Sequence, residues 1–509
     1  MRVMNSPRAV FFAIAPVLLA ASFAAAVPPD RGDLAAAYQR FDHVASTTPK
    51  DPATREMLSR GFDGLTAEFF SGRFGAALQR LASIESSLRQ YGDDEQAEMR
   101  ALAGQRFVVS PRTVVVGKPS TLTLRVDELD GVPPGSSPVS IVVTAGDMRV
   151  EVPFAHDQTI ELPAIAKSGP VQVWAAYGII GDHKVARVFA LDEPLADTQA
   201  KFDARIKALE ANGTLGASDL ASLKARAALL SPDMDRTRSV TLLADLSALS
   251  VAIARELDLA EAGKSPYAVR GELWRMYRVL GTELPVRQYV PEGDGPFPLV
   301  IAFHGAGADE NMFFDGYGEG ALLKLAKSRR VAVVCPPTVP FGVSPNVLDR
   351  FLDEVAKSIP FDRSRVLLVG HSMGAITASR LAALKPTLVA GAACIAGFSE
   401  PERHAEQLPP RRVFLAELDP LFPLEQTRAT VEAAQRQGGS IELTVVPHEG
   451  HTLVVDRVLP QAIDWLLARP ARTTATTKPT ASTPSTSPMK TGSPAPAEKD
   501  ASPSAGPRQ

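Results

Sequence analysis

Three short stretches of this chain combine residue types that can do chemistry together. The first is Gly370-His-Ser-Met-Gly374. It follows the apolar run Val366–Val369, which reads as a short buried strand, and precedes Ala375–Ala383, which reads as a helix. Strand, G-x-S-x-G, helix predicts a nucleophile elbow, a turn so sharp that its serine takes a strained backbone conformation. Gly370 and Gly374 flank Ser372 because side chains there would crowd each other. The turn lifts the Ser372 hydroxyl clear of the sheet at a helix N-terminus, where developing negative charge is favoured.

A serine hydroxyl is a weak nucleophile without a base, and the base needs an orienting carboxylate. Asp419 directly follows the strand-like run Val413–Ala416, with Glu417 as its nearest rival. His451, in His448-Glu-Gly-His451, follows the run Ile441–Val446, with Gly450 permitting a tight turn and His448 as the local competitor. His404 lies in a charged loop, and His371, inside the elbow, is expected to point away from the reaction centre. Acyl transfer also needs donors for an oxyanion. The run Leu299–Phe303 ends in His304-Gly-Ala-Gly307, which predicts backbone N–H donors at Ala306 and Met373, with His304, Gly305 and Gly307 shaping the loop. No ligand cluster points to a metal or a cofactor.

These residues need a scaffold. Residues 266–469 alternate near-continuous apolar strands with helical patterns, which predicts a mostly parallel sheet with helices on both faces. Residues 27–105 read as a helical hairpin region. Residues 106–191 hold seven short alternating runs separated by turn residues, which predicts a small β-sandwich acting as spacer or scaffold. Trp174 and Tyr177 are its candidate ligand-binding aromatics, with Trp174 expected in the core. Residues 192–265 read as a helical connector.

Residues 1–26 combine Arg2 and Arg8, an apolar core from Ala9 to Phe23 and Ala24-Ala-Ala26 before Val27. That is the pattern of a cleaved signal peptide, so a periplasmic or extracellular location follows, with no transmembrane span in the mature chain. Residues 470–509, rich in Pro, Ser, Thr and Ala, predict a disordered tail. The 509 residues suggest about three domains. Apolar and charged contents of 45% and 22% are ordinary, and a net charge of −3 without basic clusters gives no footprint for nucleic acid.

Phe303-His-Gly-Ala-Gly, Phe361-Asp-Arg-Ser-Arg-Val, Gly-His-Ser-Met-Gly, Asp419-Pro-Leu-Phe-Pro and Glu449-Gly-His-Thr carry a resemblance. Residues from about 284 to 468 resemble the α/β-hydrolase superfamily, in particular carboxylesterase, phospholipase and polyhydroxyalkanoate-depolymerase-like esterases. The resemblance implies a serine esterase with Ser372, Asp419 and His451 as triad, in that chain order, acting on a small-molecule or polymer ester without a cofactor. A prolyl-oligopeptidase-type peptidase and a non-catalytic binding protein are the alternatives. The resemblance also implies that two strands separate Cys335 from Cys394. Three strand steps make ~14 Å, beyond the ~7 Å that a disulfide spans, so both are expected as free thiols.

Overall fold

The computed structural model describes residues 26–132, 136–400 and 408–472. Most of the expected signal segment, His404 and all but the first residues of the expected tail lie outside that range. Four helices open the fold: α1 (Arg31–Thr47), α2 (Pro52–Phe70), α3 (Phe74–Arg89) and α4 (Asp93–Ala103). Asp30 and Asp33 form a capping box at α1, and Asp51 caps α2 ahead of Pro52, satisfying N–H groups that a helix start leaves unpaired. Gly72, at φ +72°, turns the chain from α2 into α3. Phe41, Leu58, Phe62, Leu78 and Leu81 make the shared core. The region is thus a four-helix unit rather than a hairpin.

Eight strands follow: β1 (Gln105–Ser110), β2 (Thr113–Val115), β3 (Ser120–Glu128), β4 (Ser140–Ala145), β5 (Met148–Pro153), β6 (Asp157–Leu162), β7 (Gly169–Tyr177) and β8 (Gly181–Leu191). They form sheets of order β1-β3-β6 and β2-β8-β7-β4-β5. Leu122 and Leu124 of one sheet share a core with Ile141, Val143, Val171 and Val173 of the other. Trp174 departs from expectation. Val171, Val173, Ala175 and Tyr177 take the buried face of β7, so the period of two turns Trp174 outward, where its indole N–H donates to Thr144 Oγ1 at 3.1 Å.

The connector comprises α5 (Leu195–Asn212), α6 (Ala217–Ala228), α7 (Ser239–Leu243) and α8 (Leu246–Glu261). Its core takes in Leu273 and Trp274 of the next strand. The buried Arg226 pairs with Glu256 at 2.8 Å and donates to the Trp274 carbonyl. The connector is therefore packed onto the edge of the sheet that follows.

That sheet has eight strands: β9 (Gly271–Val279), β10 (Thr282–Val290), β11 (Phe297–Phe303), β12 (Ala332–Cys335), β13 (Phe361–His371), β14 (Val389–Ile395), β15 (Arg411–Ala416) and β16 (Ile441–Val446). Their order is β16-β15-β14-β13-β11-β12-β10-β9. The six from β16 to β12 run parallel, while β9 and β10 form an antiparallel hairpin at one edge. Among the described residues seven helices accompany it: α9 (Met312–Asp315), α10 (Tyr317–Arg329), α11 (Thr338–Val343), α12 (Asn346–Val355), α13 (Met373–Leu384), α14 (Leu424–Arg436) and α15 (Val454–Leu467). Successive residues of the central strands serve opposite faces. Val300, Ala302, Leu367 and Val369 pack with Leu322 of α10 and Val458 and Leu459 of α15. Leu299, Ile301, Val366 and Leu368 pack with Phe351 of α12 and Leu381 of α13. Strands β11 and β13 lie between Cys335 and Cys394, which are both buried and free. Among the described residues no helix is long and apolar enough to cross a membrane.

Candidate active site

Ser372 stands between β13 and α13 with φ 55° and ψ −119°. A non-glycine residue held there costs ~1–3 kcal/mol, strain of the kind that clusters at functional sites. The Ser372 N–H donates to the Ile395 carbonyl at 2.9 Å, and the Ser372 carbonyl accepts from Ala375 and Ile376. The glycines have a steric cause. A Cβ on Gly370 would lie 2.1 Å from the Gly374 carbonyl oxygen, and one on Gly374 would lie 1.9 Å from that of Phe303. Gly397 belongs to the same set, since a Cβ there would meet the Ser372 carbonyl oxygen at 2.7 Å. No local motif marks it in the sequence.

The loop after β11 lies directly over the serine. A Cβ on Gly305 would be 3.3 Å from Ser372 Cβ and 2.9 Å from His371 Nδ1. The buried His304 shapes this loop. Its Nε2 accepts the Thr338 N–H at 3.3 Å, so Nδ1 carries the proton and donates to the Gly305 carbonyl at 2.8 Å. Burial lowers the His304 pKa, which keeps this neutral tautomer. Neither the Ala306 nor the Met373 N–H is engaged by an acceptor among the described residues.

Asp419 and His451 come together from the ends of β15 and β16. Nδ1–H of His451 donates to Asp419 Oδ2 at 2.8 Å, and Asp419 Oδ1 accepts the N–H groups of Leu421 and Phe422. With the proton on Nδ1, the Nε2 lone pair of His451 is the basic site. The Phe422 ring stacks on that imidazole, with centroids 5.7 Å apart and planes 10° apart. The rivals are occupied otherwise: Glu417 accepts the His448 main-chain N–H, and the His448 ring lies beside Glu56.

Two expectations need correction. His371 does not point away from the centre. Its ring centroid is 4.9 Å from that of His451, and its Nε2–H donates to the His451 carbonyl at 2.9 Å. Nδ1 then accepts from the Tyr317 hydroxyl at 2.6 Å. Burial, reinforced by the neighbouring His451, pushes the His371 pKa down to about 3, so this imidazole is a neutral strut. Gly450 is not the residue that makes the turn; the positive φ, 62°, belongs to His448. What Gly450 leaves room for is the carboxylate of Asp63 in α2, whose Oδ2 would be 2.4 Å from an added Cβ.

A family match agrees with the architecture of the last sheet. Residues 299–484 match the model of the alpha/beta hydrolase family. This domain has the α/β-hydrolase fold. No curated protein matches the chain by sequence. Among solved structures the chain is similar to S-formylglutathione hydrolase FrmB of Staphylococcus aureus (17% identity, 39% of this chain and 98% of that one, TM-score 0.34). It is similar to Thermogutta terrifontis esterase 2 phosphoramylated by tabun (15% identity, 39% and 94%, TM-score 0.33). A third is described as a thermostable esterase (16% identity, 66% and 91%, TM-score 0.35). The family match leaves the first 298 residues of the chain uncovered.

Proposed function

We propose that this α/β-hydrolase is a serine hydrolase that cleaves carboxylic esters through an acyl-enzyme. The observation that carries the reading is the buried Asp419–His451 hydrogen bond at the strand ends beside the strained Ser372 elbow. His451 Nε2 takes the Ser372 proton as the hydroxyl oxygen attacks the acyl carbonyl. Asp419 holds the tautomer and stabilises the imidazolium that forms. The Ala306 and Met373 N–H groups receive the oxyanion. His451 then protonates the departing alcohol, takes a proton from water, and the resulting attack frees the acid and Ser372. Export is part of the proposal. Val27, the first residue after the expected cleavage site, pairs with strand-end backbone through its N–H to Glu128 and its carbonyl from Asp130.

A fluorophosphonate probe tests the chemistry. Wild-type protein should be labelled and Ser372→Ala should not. Absence of wild-type labelling would refute the serine nucleophile. Turnover of p-nitrophenyl esters beside peptide amides then separates esterase from peptidase. Mass measurement of the protein recovered from a secreting host should find Val27 at the N-terminus.

A further inference from the structure

Helix α2 lies more than 200 residues upstream of the catalytic sheet, yet one face of it grips the histidine loop. Arg55, Ser59 and Asp63 recur at i, i+4 and i+8, so they form a row on one helix face. Arg55 Nη1 donates to Glu449 Oε1 at 2.9 Å, Ser59 Oγ reaches the His448 carbonyl at 3.4 Å, and Asp63 Oδ1 accepts the His451 main-chain N–H at 3.0 Å. Six residues past Asp63, Phe69 presses on the loop that carries Ala306. A Cβ on Gly307 would lie 2.5 Å from its ring. Gly307 and Gly450 therefore both sit where a side chain would collide with α2.

Helix α1 adds a second hold. Tyr317 to Glu319 and Gly320 all have positive φ. Asp42 of α1 accepts the Gly318 and Glu319 N–H groups at 3.1 and 2.7 Å, and the Tyr38 hydroxyl accepts the Tyr317 N–H. This run aims the Tyr317 hydroxyl at His371, whose other nitrogen holds the His451 carbonyl. The main chain of His451 is thus fixed at its N–H by Asp63 and at its carbonyl by His371, while Asp419 fixes the ring.

We infer that the N-terminal helices complete the active site, with Asp63 as a positioning residue that holds His451 in register through its main-chain N–H. The inference rests on the serine-hydrolase reading for its kinetic effect and on geometry alone for the tether. An imidazole displaced by ~1 Å can lose on the order of 10²-fold in rate.

The test is made on the full chain. In Asp63→Ala, kcat for a p-nitrophenyl ester should fall on the order of 10–100-fold with KM little changed, since the lost contact orients a catalytic group and binds no substrate. Asp63→Asn keeps an oxygen for the His451 N–H and should recover to within a few-fold of wild type. Amide exchange across residues 448–452 should quicken in Asp63→Ala. A kcat within twofold of wild type in Asp63→Ala, equal losses in Ala and Asn, or unchanged exchange would overturn the inference. Should Asp63→Ala fail to fold, Gly450→Ala reads the contact from the other side: it should lower kcat similarly, and wild-type kcat there would also overturn it. If wild-type protein neither takes up the probe nor turns over esters, the serine-hydrolase reading fails and exchange at His451 alone decides the tether.

Discussion

Asp63 should make the stability of this protein depend on pH in a direction opposite to that of an ordinary ion pair. Burial is the largest influence and raises its pKa from 3.8 to about 7, and nearby Asp419 adds to the rise. The His451 N–H, the His451 ring and Arg60 oppose it without prevailing, and Arg60 is already paired with Glu56. Below pH 4 the carboxyl is protonated in folded and unfolded chains alike. Between about 4 and 7 the folded chain keeps a proton that the unfolded chain has released, so the stabilisation present at low pH is lost as pH rises through 7. Three pKa units set a ceiling of ~4 kcal/mol, and solvent reaching the exposed part of the group reduces this to ~1–3 kcal/mol. Asp63→Asn removes the titration and retains the hydrogen bond. Other titrating groups, including His371, are common to both proteins and cancel in the difference. The melting temperature of Asp63→Asn minus that of wild type should therefore climb between pH 4.5 and 8, by a few degrees. Melting both proteins in matched buffers across that range measures it. A difference independent of pH, or one that shrinks as pH rises, would refute the assignment of Asp63 as a carboxylate with a raised pKa.

Asp419→Asn should lower kcat on the order of 10³–10⁴-fold by disturbing the His451 tautomer, whereas Glu417→Gln, which touches only the His448 N–H, should stay near wild type; steady-state kinetics on one ester compares them. Gly374→Ala places a Cβ 1.9 Å from the Phe303 oxygen, and relieving that clash requires a shift of ~1 Å, so probe labelling of Ser372 should slow on the order of 10²-fold. Burial pushes the Cys394 thiol up to about 12 and raises that of Cys335; a thiol reagent should find no reactive group in native protein and two after denaturation without reductant.

The elbow was legible because its glycines answer to local sterics that any sequence of this spacing meets. Asp419 follows the apolar run Val413–Ala416 of a buried strand, and His451 follows Ile441–Val446, a shorter apolar pattern that forms the half-buried edge strand β16. The antiparallel strand β9 is hard to read from sequence: its mixed run Gly-Glu-Leu-Trp-Arg-Met-Tyr-Arg-Val lacks a continuous apolar stretch, and of the two positive-φ residues in its turn, Leu280 and Gly281, only the glycine signals one. The size of Trp174 argues for the core, but the alternation of Val171, Val173 and Ala175 turns it outward. The direction of His371 depends on how the strand end is pleated. Asp63 left only faint marks. A carboxylate on the polar side of an amphipathic helix reads as solvated, and the row Arg55, Ser59, Asp63 acquires meaning only when the loop at 448–451 is laid against it. Gly450 reads in sequence as a turn residue, yet the space it leaves is filled by Asp63 from another part of the chain.

The bond from Asp63 to His451 closes a loop of 388 positions. Contacts so far apart form late, because the chain must pay the entropy of closure before they return anything. During synthesis the Ser372 elbow and α2 both exist well before residue 451 is joined. A chain interrupted anywhere short of that loop carries Ser372 and the α2 row, but nothing for that row to hold. Assembly of the Ser372, Asp419 and His451 site is thereby deferred until the last β-strand and its loop are made, when the first helices receive the segment they hold.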